Sequence, residues 1–170
     1  MIKQLVALNA GLYGAYFIAN GPIRTLYKQY LTLDSNSSIL SVASCHLGHT
    51  SATMFALNSA VLWTIGNNHA HTYGCARLMK LIGFSCAVAS VLGVHEVYHN
   101  GGQVINGGSA VSAGLITYNL FKNPQWFHII KFTYHPLILI SLMAFYGAHA
   151  NDKAVLGGIA GGFGAFLLAL

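Results

Sequence analysis

Six apolar runs follow one another along this chain, separated by more polar connections. They cover residues 5–18, 45–65, 78–94, 104–121, 127–146 and 154–170. The pattern predicts a single all-α integral membrane domain, 1–170, folded as a bundle of six transmembrane helices. Several runs fall short of the ~20 residues that a typical hydrocarbon core demands. Short helices imply local bilayer thinning, shielding by neighbours, or partner subunits around the rim. The longest polar connection lies between the first two runs. Within it, Ile23-Arg24-Thr25-Leu26-Tyr27-Lys28-Gln29-Tyr30-Leu31 mixes apolar and polar positions as an interfacial helix does. Asp34-Ser35-Asn36-Ser37-Ser38 is a turn cluster, and Asn123-Pro124 closes the fourth run.

Composition sharpens this picture. The chain is 55% hydrophobic and 6% charged, against about 25% charged in soluble domains, so one multi-span membrane domain is the expectation. Met1-Ile2-Lys3-Gln4 enters the first run with no cleavage-site pattern, which predicts no signal or transit peptide. Cys45, Cys75 and Cys86 are odd in number and lie in or beside apolar runs. They read as small packing residues, without a disulfide framework.

Charge predicts orientation. Six spans with both ends on one side collect Lys3, Arg77, Lys80, Lys122 and Lys131 on the terminal side. The other side holds Arg24, Lys28 and Lys153 with Asp34, Glu96 and Asp152. The Lys and Arg asymmetry places both termini in the cytosol of a bacterium or in the mitochondrial matrix. The net charge of +5 serves topology and contact with anionic phospholipid. No basic cluster is dense enough for nucleic acid.

Small residues concentrate in the fourth and sixth runs. Gly107, Ala110, Ala113 and Gly114 lie in one; Gly157 and Gly161, with Gly158 and Gly162, space the other by four. Such spacing lets helix backbones approach closely in lipid. The expected packing residues are Gly107, Ala110, Gly114, Gly157, Gly158 and Gly161.

One polar frame runs through the same segments. His49 is followed by Asn58, Gly66 and Gly74, then Arg77. Later come Gly107-Gly108-Ser109-Ala110 with Gly114 and Pro124, and last Ala154-Val155-Leu156-Gly157-Gly158. In order and spacing this resembles the rhomboid family of intramembrane serine proteases, from the second span to the sixth. The resemblance implies a six-helix rhomboid-like bundle, with Ser109 at the nucleophile position and Asn58 beside it.

The departures from that family are chemical. A serine hydroxyl is a weak nucleophile that needs an adjacent base, and the family's sixth-span histidine position is Val155. The oxyanion needs preorganised donors, and the family's second-span histidine, four residues before the asparagine, is Met54 here. Ala110 replaces a glycine, and the exit glutamate is Ala70. Loss of a base costs about 10⁶ in turnover, and loss of an oxyanion donor about 10²–10³. Ser109 and Asn58 are therefore expected to be vestigial. Ser109 then serves as a small spacer and Asn58 as an interhelical hydrogen-bonding group.

A competing constellation is His95-Glu96-Val97-Tyr98-His99. On a helix it puts two histidines on one face to hold zinc, with Glu96 as general base. One extended version of the motif would have its third histidine at Ile105, which cannot bind metal; His149 or Asp152 would have to serve from another helix. The plainer expectation is a polar helix end. His46, His49, His128, His135 and His149 lie mostly near span ends, and His69 and His71 are expected in a polar loop. They read as interfacial groups, not as a haem pair.

The resulting expectation is a pseudoprotease without a catalytic site or cofactor, with phospholipid as its one candidate bound molecule. It would act as an accessory subunit among other membrane proteins, first of all in the mitochondrial inner membrane. The respiratory chain, ATP synthase and a protein translocase are the candidate assemblies. The alternatives are a zinc protein or metalloprotease built on His95, Glu96 and His99, and a serine protease whose base is another residue.

Overall fold

The computed structural model describes residues 1–35, 38–99, 107–123 and 153–170. Its regular elements are helical, with no strand among the described residues. The fifth apolar run, residues 127–146, lies outside the described residues, as do His128, Lys131, His135, His149 and Asp152.

Helix α1 (Ile2–Ile18) ends where Ala19 turns extended. Pro22 opens α2 (Pro22–Leu31) at its first turn, where a missing N–H costs nothing. A short α3 (Ser41–Ser44) and a 3-10 turn (Cys45–Leu47) come next. The second apolar run therefore does not begin as a transmembrane helix at Cys45. Gly48 is extended, and the helix proper begins after Ser51, whose hydroxyl accepts the Met54 N–H at 3.5 Å.

From there helical backbone is continuous through residues 52–73. It comprises α4 (Ala52–Val61), a π-helical turn (Leu62–Gly66) and α5 (Asn67–Tyr73). His69 and His71 thus belong to a helix, not to the expected polar loop. Gly74, with φ +89°, reverses the chain into α6 (Cys75–His99), a conformation that a side chain would strain. Helix α6 has 25 residues and is the one described helix long and apolar enough to cross a membrane. Helices α7 (Ser109–Lys122) and α8 (Lys153–Leu167) are shorter.

The centre of the molecule is a seam where α8 enters between α6 and α7. A Cβ on Gly157 would collide with the backbone of Ala89, and one on Gly161 would lie 2.6 Å from the Ser85 Cα. On the neighbouring stripe, a Cβ on Gly158 would fall 2.8 Å from the Ala113 Cβ and overlap the Ala110 carbonyl. One on Gly162 would reach 2.9 Å from the Gly114 Cα. Gly157 and Gly161 therefore face α6, and Gly158 and Gly162 face α7. These contacts run α8 antiparallel to α6 and parallel to α7. Gly114 closes the triangle, since a side chain there would strike Ser85.

Larger side chains fill the two ends. Leu78, Leu81, Leu115 and Tyr118 gather with Ile2 and Leu62 near the chain termini. At the other end Leu33, Cys45 and Val97 pack against Ala89 and Ala110 of the seam.

Candidate functional site

Ser109 is the first residue of α7. Its approach is fixed by Gly107, with φ +93°, whose N–H donates to the Cys45 carbonyl at 2.8 Å. No side chain of α7 caps the helix start. The cap comes from far along the chain: the Gly108 N–H donates to Nε2 of His49 at 3.2 Å. A neutral imidazole that accepts at Nε2 carries its proton on Nδ1. His49 is itself held by Tyr27 of α2, whose hydroxyl accepts the His49 N–H at 2.7 Å and donates to the His49 carbonyl at 3.2 Å. Burial pushes the Tyr27 phenol above its ordinary pKa, partly offset by its hydrogen bond to the His49 backbone.

Asn58 of α4 extends the network. Its Nδ2 lies 3.4 Å from the His49 Nε2, and its Oδ1 accepts the Ser112 hydroxyl at 2.7 Å. Asn58 thus engages Ser112, one turn beyond Ser109. Ser109 is buried, and among the described residues its hydroxyl has no hydrogen-bond partner. Met54 lies in the first turn of α4, and Val155 is buried on α8 one turn before Gly158. No protein-family model and no curated protein matches this sequence.

Beside the network is a cavity of about 50 Å³, bounded by Asn9, His46, Asn58, Gly108 and Ser112 among others. Water fits such a volume; an extended peptide does not. His46 takes the opposite tautomer from His49. Its Nε2 meets Ser90 Oγ at 2.9 Å while that hydroxyl donates to the Val42 carbonyl at 2.6 Å, so Nε2 carries the proton.

A second buried polar pair lies on α5, beyond the π-helical turn. His69 Nδ1 is 3.2 Å from Asn119 Oδ1, and the ring packs against Tyr73 and Tyr118. Asn119 also donates to the Leu115 carbonyl at 2.7 Å. His46, His49 and His69 are all buried, contrary to the expectation of interfacial histidines, because each has a polar partner on a distant segment.

His95 and His99 are exposed on the last turns of α6, their ring centroids 5.2 Å apart. Glu96 is turned to Lys153 of α8, at 3.5 Å. No three metal-binding side chains gather among the described residues. The glutamate that would act as base is held in an ion pair at the α6–α8 junction.

Tyr27, Ser112 and Asn119 are residues of these networks that the sequence alone does not single out. Ser112 carries one signal, since it stands a single turn after Ser109 on the same helix face.

Proposed function

We propose that this chain is a rhomboid-like membrane bundle that has lost peptide-bond chemistry and serves as an accessory subunit of a larger membrane complex. The mitochondrial inner membrane is its first expected location. The observation that carries the reading is the use made of His49. Its Nε2 lone pair, the nearest basic site to the start of α7, is occupied by the Gly108 N–H. Ser109 sits in the next position with no partner among the described residues, and Val155 on α8 has no proton-accepting group. A serine without a base stays a hydroxyl.

The glycine seam supports the same reading. Three helices meet at contacts too close for any added Cβ, a rigid arrangement that suits a scaffold. A bilayer supplies no hydrophobic force between helices, so this fit of small residues holds them together.

The test has two arms. Incubation of the purified protein with a fluorophosphonate is expected to leave Ser109 unlabelled, and stoichiometric labelling would overturn the loss of chemistry. Solubilisation in mild detergent is expected to bring down a defined set of membrane proteins. Recovery of the chain alone from native membranes would overturn the accessory role.

A further inference from the structure

We infer that α2 is a binding site for an anionic phospholipid, with Arg24 and Lys28 on the phosphate and Ile23, Leu26 and Tyr30 among the acyl chains. This rests on the membrane reading above. At 3.6 residues per turn, Leu26, Tyr30, Ile23, Tyr27 and Leu31 share one arc of about 140°. Tyr27 alone of the helix is buried, fastened to both backbone groups of His49. Leu31 is half-buried, and the remaining three are uncovered: Ile23 is 61% exposed, Leu26 53% and Tyr30 40%. At the end of α1 the uncovered surface includes Phe17 and Ile18, at 78% and 79%. So much apolar side chain is left bare where two helices meet that water is a poor solvent for this face.

The cations on the adjoining edge specify the occupant. Arg24 and Lys28 stand one turn apart and are exposed. Among the described residues neither has a carboxylate within ion-pair distance. Arg24 is already aimed. Its guanidinium lies 5.2 Å from the centre of the Tyr16 ring and donates to the Tyr16 hydroxyl at 3.3 Å. One fixed N–H edge leaves the others free for phosphate oxygens, which a planar guanidinium binds two at a time. Helix α2 itself contains no acid, so nothing on it repels an anion. An apolar arc bordered by paired cations matches the depth profile of a lipid monolayer, with acyl chain below phosphate.

The experiment uses the full chain in nanodiscs of phosphatidylcholine doped with phosphatidylglycerol. Enrichment of phosphatidylglycerol around the protein is expected to fall about fivefold for each of Arg24→Gln and Lys28→Gln. Unchanged enrichment in the double variant would overturn the site. Depth is read separately with brominated lipids, in a Trp63→Phe, Trp126→Phe background carrying Leu26→Trp. The introduced indole is expected to be quenched by bromines placed high on the acyl chain. A control retaining Trp63 alone is expected to be quenched by deep bromines. Quenching of Trp63 without quenching at position 26 would mean that α2 lies outside the acyl region, and would overturn the proposal alone. Absence of quenching at both positions would remove the membrane reading as well.

Discussion

Ser112, not Ser109, holds the Asn58 side chain: its hydroxyl donates to Asn58 Oδ1 at 2.7 Å between two buried helix faces. The pair ties α4 to α7 and sets the amide that approaches His49. Removing one partner of a buried hydrogen bond leaves the other unsatisfied, at a cost of about 1–3 kcal/mol. Ser112→Ala is therefore expected to destabilise the bundle, and Ser109→Ala to leave stability and assembly nearly unchanged. Thermal unfolding in detergent, followed by helical circular dichroism, distinguishes the two. Loss of biological function with normal assembly in Ser109→Ala would give that serine a chemical partner.

His49 is expected to matter more than its place outside any helix suggests. His49→Ala deletes the acceptor for Gly108 N–H and leaves Asn58 Nδ2 without its imidazole. Amide exchange at the first turn of α7 should then accelerate, with the middle of α6 unaffected. Uniform acceleration across both helices would mean that His49 supports the whole fold and not this one helix start.

Glycines of identical chemistry should answer oppositely to the same change. Gly158→Ala places a methyl against Ala110 and Ala113, whereas Gly83 has nothing within 4 Å of its added Cβ. Overpacking costs about 1–3 kcal/mol, while Gly-to-Ala in an open helix position gains up to about 1 kcal/mol. Gly158→Ala should lower the unfolding midpoint and Gly83→Ala should raise it slightly. Gly158→Leu should remove the protein from the membrane complex proposed for it, as blue-native electrophoresis would read.

Alkali offers a test of the Tyr27 anchor. The folded protein holds the phenol protonated beyond its ordinary pKa of 10.0. The unfolded chain releases that proton first, so stability is intact below about pH 10 and falls as pH rises through the folded value. Tyr27→Phe is expected to be less stable at neutral pH by about 1 kcal/mol, the worth of a typical hydrogen bond. Its further loss above about pH 10 should be shallower than that of the wild type. Parallel curves would place the titrating group elsewhere.

Purified protein is expected to carry no stoichiometric zinc by elemental analysis, since Glu96 is engaged by Lys153 and no described third ligand joins His95 and His99. The double change His95→Ala, His99→Ala should leave assembly intact. Zinc that disappears with those histidines would restore the metalloprotein reading.

The glycine stripes were legible because four-residue spacing marks one helix face. The cover over that face was not: Gly157 and Gly161 meet Ala89 and Ser85 of α6, and periodicity along α8 carries no record of its neighbours. The helical character of residues 67–73 was hidden for a related reason. Asn67-Asn68-His69 reads locally as a turn, and it is the distant Asn119 that makes a buried histidine tolerable there. The polar frame around Asn58 was visible in order and spacing. The capping role of His49 was not, because Gly108 lies 59 residues away.

The π-helical turn at Leu62–Gly66 acts as a gearing between two rods of unequal pace. Asn58 and His69 stand about three helical turns apart, while their partners Ser112 and Asn119 stand only about two turns apart on α7. A wider turn crowds an extra residue into the coil, so the chain descends less and the residues beyond Gly66 are rotated. Side-chain reach takes up the remaining difference, and both polar rungs close on the same neighbour. Drawing Leu62–Gly66 into ordinary α-helix at unchanged length would leave the upper rung in place and turn His69 away from Asn119, trading a sealed bundle for one with an open lower end.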